Sequence, residues 1–229
     1  MSDSPDGVQA TAAGLAAAKD YADTVLKGPL AQLGGILSDT VGHWRLRNQV
    51  RLLLKAKQFM KERGVEPGMI LPDIFVPIVE DAGTVGDEKL SDMFASLLAS
   101  HLDSKSSNPV HPSFARVLAQ LSPLDARLVE RCRGLVSDKE YRDMGLRGSP
   151  VAVEMAAEWL GVSRDDAYLS CLNLRRLGLV RHVGAEVPAG HPVPSVFEDD
   201  RDNQTFRLTE YGIAFCDACG CGDFSGRKP

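Results

Sequence analysis

The sequence predicts a mainly α-helical protein: an N-terminal helical bundle, followed by a winged-helix-like domain with a small β-hairpin. Apolar residues recur at helical spacing in the first half, and no clear strand pattern appears before residue 178. From residue 122 the predicted order is helix, helix, short turn, helix, strand, loop and strand. A chain of 229 residues is long enough for two domains with cores of their own.

We place the domain boundary near residue 121. The predicted bundle spans residues 1–121, of which 1–7 form a loose acidic tail. The predicted winged-helix-like domain spans residues 122–221, and a short tail, 222–229, follows it.

The bundle is predicted from five helical segments, of which the last is a short helix from Ser113 to Leu121. An Ala-rich stretch from Gly7 to Lys27 favours the first helix, and residues 30–63 predict a long second one that ends before Gly64. A short apolar helix is predicted near Ile74–Val79. The clearest pattern is the stretch "DEKLSDMFASLLASHLD", whose apolar side chains fall on one helical stripe. These are Leu90, Met93, Phe94, Leu97, Leu98 and Leu102.

The second domain is predicted from helix caps and turn residues. Ser122 and Pro123 are typical of a helix start, and the same pair at Ser149–Pro150 predicts the start of the next helix. Ser163 caps a third helix that Gly178 ends. The predicted strands, "LVRHV" and "TFRL", follow, and Thr209 begins the last helix.

Residues 43–64 raise the question of a binding surface. They carry seven cations against one acid: Arg45, Arg47, Arg51, Lys55, Lys57, Lys61 and Arg63. On a helical wheel Arg47, Arg51 and Lys55 form a row opposite the apolar side. Like charges at this spacing repel mildly. Acids on a neighbouring helix, an anionic lipid surface or a nucleic-acid backbone would each draw them together, and a solvated basic face is the simplest interpretation.

The third helix of the second domain is the element with which many winged helices read DNA. Its start carries Asp165 and Asp166, and residues 122–229, the domain with its tail, have 14 Lys or Arg against 17 Asp or Glu, a net charge of −3. Charge therefore disfavours nucleic acid as a partner, although Arg175, Arg176 and Arg181 remain candidates for contact with a backbone.

No catalytic or metal-binding motif stands out. Cys216, Cys219 and Cys221 are close in sequence, but a closed zinc site needs four ligands and no second pair follows. We expect Cys216 to pack in the last helix and the other two cysteines to fray near the terminus. The histidines are isolated, and we expect His101 to be a hydrogen-bonded residue at the core edge. The sequence predicts no enzyme, no cofactor and no small-molecule substrate.

Composition places the chain among soluble globular proteins. The formal net charge is −5, charged residues make up 25%, and charges interrupt every apolar run before residue 40. The acidic start lacks a secretory signal, and the odd cysteine count is typical of reduced thiols, so a cytoplasmic location is expected.

The order of several blocks resembles the abortive-infection alpha (Abi-alpha) family of bacterial proteins. The blocks are "GPLAQLGGILSDTVGHWRLRNQVRLLLKAKQFMKERG", "PGMILPDIFVPIVEDAG", "DEKLSDMFASLLASHLD", "VHPSFARVLAQLSPLDARLVE" and "LRRLGLVRHV". The similarity covers about Leu26 to Cys219 and lies in packing and turn positions.

The resemblance implies a role in defence against phage, without an active site or a defined mechanism. We expect action through binding of a protein partner or through self-association. A winged-helix DNA-binding regulator and a membrane-surface effector that uses the N-terminal amphipathic helices are the alternatives.

Overall fold

The computed structural model describes residues 12–25, 40–103, 110–136, 150–183 and 204–221. The chain divides into two compact units, Met1–Gln120 and Leu121–Pro229. The division into a helical bundle and a winged-helix-like domain with a boundary near residue 121 stays a prediction. The segments outside the described residues include the predicted tails, residues 30–39 of the predicted second helix and the predicted loop over residues 184–203, with its "FEDDRD" stretch.

Unit 1 contains five helices among its described residues. They are α1 (Ala12–Val25), α2 (Thr40–Glu62), α3 (Pro72–Gly83), α4 (Glu88–Leu102) and α5 (Phe114–Leu118). Helix α2 packs against α1, α3 and α4. The predicted apolar stripe of α4 is confirmed, since all six of its residues are buried. Asp87 caps α4 by accepting a hydrogen bond from the backbone N–H of Leu90 at 3.0 Å.

Helix α3 is longer than the predicted segment at Ile74–Val79. Pro72 occupies the first turn of the helix, where a missing N–H removes no hydrogen bond. Pro77 lies inside the helix, as it does in the shorter predicted segment. Phe75, Ile78 and Val79 are buried, and this burial stabilises the helix across its second proline.

Unit 2 contains four helices and three short strands among its described residues. In chain order they are α6 (Pro123–Val136), β1 (Val151–Ala152), α7 (Val153–Leu160), α8 (Arg164–Arg176), β2 (Val180–Val183), β3 (Thr205–Leu208) and α9 (Glu210–Ala218). The strands form an antiparallel sheet in the order β1–β3–β2. The chain is thus mainly helical with one small sheet in the part that the structure describes.

The prediction was wrong about the start of α7. It placed residues 150–152 in the helix, whereas Val151 and Ala152 form β1 and pair with Phe206 and Thr205 of β3. A two-residue strand has no periodicity of its own. It forms because β3, more than 50 residues later in the sequence, supplies the backbone partners.

The turn from α8 into β2 fixes the start of α9. Gly178 adopts a φ of 73°. Thr209 donates its hydroxyl to the Gly178 carbonyl at 2.6 Å and accepts a hydrogen bond from Gly212 N–H at 2.9 Å. A Cβ at Gly212 would lie 2.0 Å from the carbonyl oxygen of Leu179. Gly212 therefore lies at a close backbone contact that only glycine permits.

No helix within the described segments is both long enough and apolar enough to span a bilayer.

Candidate interaction surfaces

The basic helix α2 anchors its neighbour through a buried amide. Asn48 is buried, and its Nδ2 donates to the carbonyls of Gly83 and Val85 at 3.1 and 3.0 Å. These carbonyls lie at and just beyond the C-terminus of α3, where intrahelical partners run out. The side chain of Gln49 lies against Gly83, so close that a Cβ added to Gly83 would be 3.2 Å from Gln49 Cγ. Two polar residues in the middle of the basic stretch thus hold the end of α3.

Two of the three cations in the predicted row make ion pairs inside unit 1. Lys55 contacts Glu88 and also Asp92, at 2.7 Å, and Arg51 contacts Glu88 at 3.3 Å. The hydrogen bond from Lys55 lowers the pKa of Glu88 below its usual value. Acids on a neighbouring helix are therefore what brings Arg51 and Lys55 together.

This placement corrects the helical-wheel prediction of a solvated row. The side chains of Arg51 and Lys55 are only 28% and 19% exposed, whereas Arg47 is exposed. Since α2 packs against α1, α3 and α4, its buried arc is wider than its apolar stripe and takes in part of the basic face. Other exposed cations on the helix are Arg45, Lys57 and Lys61.

A buried carboxylate joins α6 to α8 in unit 2. Asp125 is 3% exposed and accepts hydrogen bonds from the backbone N–H of Ser122 at 2.8 Å, from Ser170 Oγ and from Asn173 Nδ2 at 2.9 Å. Ser122 Oγ in turn accepts from the Asp125 N–H at 3.1 Å, which completes a reciprocal cap at the start of α6. The inner polar side chains of α8 are therefore used by the fold.

The outer face of α8, unlike the inner one, is exposed to solvent. Asp165 and Asp166 are exposed in the first turn, and Leu169 is 63% exposed. The two acids were among the predicted surface residues of this helix, whereas Leu169 was not. A wheel at ~100° per residue places Leu169 opposite the buried Ala167 and Cys171, which is the signal that would have predicted it.

The three arginines predicted as a contact cluster lie at the end of α8 and on β2, and all three are exposed. Arg175 and Arg176 occupy the last turn of α8, and Arg176 donates from Nε and Nη2 to Asn173 Oδ1 at 3.1 and 2.8 Å. Arg181 lies on β2 in register with Arg207 of β3. Their role as a binding surface stays a prediction.

The expectation that Cys219 and Cys221 fray was wrong, because both are buried. Gly220 turns the chain back at a φ of 71°, and the Cys221 N–H donates to the carbonyl of Cys216 at 2.8 Å. This is the hydrogen-bond pattern of a Schellman cap, which brings the side chains of its two end residues together. The cap returns Cys221 to the core.

The buried thiols are poorly suited to thiolate chemistry. A hydrogen bond with Cys221, together with burial, raises the pKa of Cys216 well above its ordinary value. Burial also raises the pKa of Cys132 and of Cys171 to about 12. Since the thiolate is the reactive form, these raised pKa values disfavour nucleophilic and redox chemistry at the three thiols. Across the described residues no group of three His, Cys, Asp or Glu could hold a metal ion.

His101 lies at the core edge of α4, as the sequence predicted, but without the expected hydrogen bond at one ring atom. Its Nε2 is buried and has no hydrogen-bond partner among the described residues. Burial lowers the pKa of His101 to about 4, so the ring is neutral at pH 7.

These features define a class: a mainly helical protein of two units, in which the buried Asn48 and Asp125 each join two segments of their own unit. The family model for abortive infection alpha matches residues 47–219. The chain belongs to this family, as its resemblance predicted. No curated protein and no solved structure matches the chain significantly.

Proposed function

We propose that the chain is a non-enzymatic bacterial defence protein that acts against phage, in the manner of abortive infection, through protein binding. Membership of the abortive infection alpha family is the observation that carries the defence role. The outer face of α8, where Leu169 is exposed between acids and bases, supports binding as its mode of action.

The order α6, β1, α7, α8, β2, β3 supports a winged-helix-like assignment for unit 2. In that arrangement α8 is the helix that DNA-reading members place in the major groove. Here its first turn presents Asp165 and Asp166 to solvent. Phosphate groups would meet like charge at this position, so the surface favours a protein over DNA.

The membrane alternative needs the apolar side of α2 to face lipid. That side packs inside unit 1, where Val50, Leu52, Leu53, Ala56 and Met60 are all buried. To reach lipid, these side chains would have to leave their packing against α1, α3 and α4. The folded unit therefore favours a protein partner over a lipid surface.

A phage-challenge assay tests the defence role. Cells that express the full chain are compared with cells that carry an empty vector, across a broad panel of phages. We expect fewer plaques, together with loss of infected cells, for at least one phage. Equal plaque numbers across the panel would overturn the proposal.

Two binding assays separate the alternatives. Gel shifts at low salt with Arg175, Arg176 and Arg181 changed to Ala test the regulator, and no shift with the wild-type chain excludes it. Flotation with anionic liposomes tests the membrane effector, and protein that stays at the bottom excludes it.

A further inference from the structure

The outer face of α8 combines exposed apolar surface with charges of both signs. Leu169 has the highest exposed fraction of the large apolar side chains in the described part of the chain. At ~100° per residue, Asp165, Leu169, Leu172 and Arg176 fall within one stripe about 60° wide. Asp165, Leu169 and Arg176 are exposed, and Leu172 is half-buried. The stripe thus reads acid, apolar, apolar, base along the helix.

The α8 stripe has the same apolar centre when the helix direction is reversed, and its acidic and basic ends change places. Turning the helix end for end about the point midway between Leu169 and Leu172 exchanges the two leucines and brings Asp165 to the place of Arg176. A two-fold axis through that point therefore places Asp165 of each copy opposite Arg176 of the other.

We propose that α8 is a self-association surface on which a second copy of this chain packs its own α8 in antiparallel orientation. Two-fold interfaces use the same patch on both partners, so that residue i contacts residue j and j contacts i. Leu169 and Leu172 of the two copies form the apolar centre. Asp165 of each copy faces Arg176 of the other at both ends.

The order of signs favours a second copy over other occupants. A nucleic acid would be repelled by Asp165 and Asp166, and a purely basic peptide would be repelled by Arg175 and Arg176. Acids at a helix start and bases at its end also stabilise the helix by about 0.3–1 kcal/mol each. That preference accounts for the charges and leaves the exposed leucine unexplained, whereas self-association accounts for both.

The base at the end of the stripe is held in place before any partner arrives. Arg176 is bound through two nitrogens to Asn173 Oδ1, and Asn173 Nδ2 is bound to the buried Asp125. A side chain fixed in this way loses less conformational freedom when a partner binds. The contact area of two 13-residue helices is small, so a weak dimer in the micromolar range is expected.

The test measures the oligomeric state of the full chain by sedimentation velocity across a range of concentrations. The wild-type chain is expected to pass from monomer to dimer. Leu169→Glu should weaken the dimer at least tenfold and leave the thermal melt unchanged, because Leu169 is exposed. Matched controls are Glu158→Lys on α7 and Arg127→Glu on α6, which are also exposed and should leave dimerisation unchanged.

Charge exchange makes the test specific for the antiparallel arrangement. Asp165→Arg alone places bases at both ends of the stripe, and Arg176→Asp alone places acids at both ends. Each variant should lose self-association. An equimolar mixture of the two should restore it as a heterodimer, and the double variant should again dimerise with itself.

A wild-type chain that stays monomeric at several hundred micromolar while folded would overturn the inference. So would a dimer that Leu169→Glu leaves intact, or single charge variants that fail to pair when mixed. The inference rests on the protein-binding part of the proposed function, and the two can fail separately. A monomeric chain that still reduces plaque numbers would overturn only the proposed interface. A dimeric chain without any phage phenotype would overturn only the proposed defence role.

Discussion

Helices α2 and α8 are both amphipathic and both carry several arginine or lysine side chains, but the two helices use their polar groups differently. On α2, Asn48, Arg51 and Lys55 all contact other residues of unit 1. On α8, the inner polar residues Ser170 and Asn173 are bound to Asp125, while the outer face is left to solvent.

The difference shows that a row of charges in a sequence does not by itself indicate a binding surface. The charges of α2 attract attention because they share one sign, yet two of them are neutralised by α4. The outer face of α8 carries charges of both signs, acids at its start and bases at its end, and exposes a leucine between them. Large mutational effects on stability are therefore expected at the polar groups that the fold uses, and small ones on the outer face of α8.

The two tryptophans allow each unit to be followed separately. Trp44 lies on α2 in unit 1, and Trp159 lies on α7 in unit 2. Chains that carry Trp44→Phe or Trp159→Phe therefore report by fluorescence on unit 2 or unit 1 alone.

The largest effect is expected for Asp125→Ala, measured by urea unfolding with Trp159 as the probe. The change leaves the Ser170 hydroxyl and the Asn173 amide without their acceptor in a buried site. We expect a loss of about 3 kcal/mol in the free energy of unfolding. Asp217→Ala is the matched control: it removes a more exposed carboxylate bound to Arg133 and should cost about 1 kcal/mol or less. Equal losses for the two variants would contradict the importance of the buried network.

Asn48→Ala tests the corresponding anchor on α2. Two carbonyl groups, of Gly83 and Val85, lose their donor, and a loss of about 2 kcal/mol is expected, with Trp44 as the probe. Gln58→Ala on the exposed side of the same helix removes only a contact with Glu62 and should change stability by less than about 0.5 kcal/mol. A loss for Asn48→Ala no greater than the control's would show that α2 does not hold the end of α3.

Lys55→Met separates the ion pairs from packing. The methylene stem is kept while the charge is lost, so the expected destabilisation is about 1 kcal/mol or less. The pKa of Glu88 should rise towards its usual value, because the hydrogen bond from Lys55 is the largest cause of its lowering. A carboxyl titration followed by NMR measures this rise. Lys61→Met, on the exposed side of α2, should leave the pKa of Glu88 unchanged, and a similar rise in both variants would contradict the assignment.

The smallest effect at neutral pH is expected for His101. Its pKa is about 4 in the folded protein and about 6.5 when unfolded, so the unfolded chain binds more protons between these values. Stability of unit 1 is therefore fully present above pH 6.5 and falls as the pH drops towards 4. After allowance for the exposed part of the ring, we expect a loss of about 1 kcal/mol at pH 5. His101→Gln should flatten this slope between pH 5 and 7, and an unchanged slope would show that His101 is not its source.

Local sequence patterns predicted most of the helices and both hairpin strands. The α4 stripe, the caps at Ser163 and Thr209, and the positive-φ glycine at 178 depend on residues within a few positions of one another. These features follow from backbone geometry and side-chain spacing alone, which is why a single sequence is enough to find them.

What the sequence by itself determined is therefore the identity of the main elements and the family to which the chain belongs. Only the tertiary structure decided that α4 would neutralise Lys55, that β3 would recruit Val151 into a strand and that Gly220 would return Cys221 to the core. The ion pair of Lys55 and the strand pairing of Val151 depend on partners more than 30 residues away in the chain. The burial of Cys221 depends on the core of unit 2, against which the cap places its side chain. Periodicity within one segment shows which side of a helix is apolar, but it cannot show how many neighbours that helix will meet.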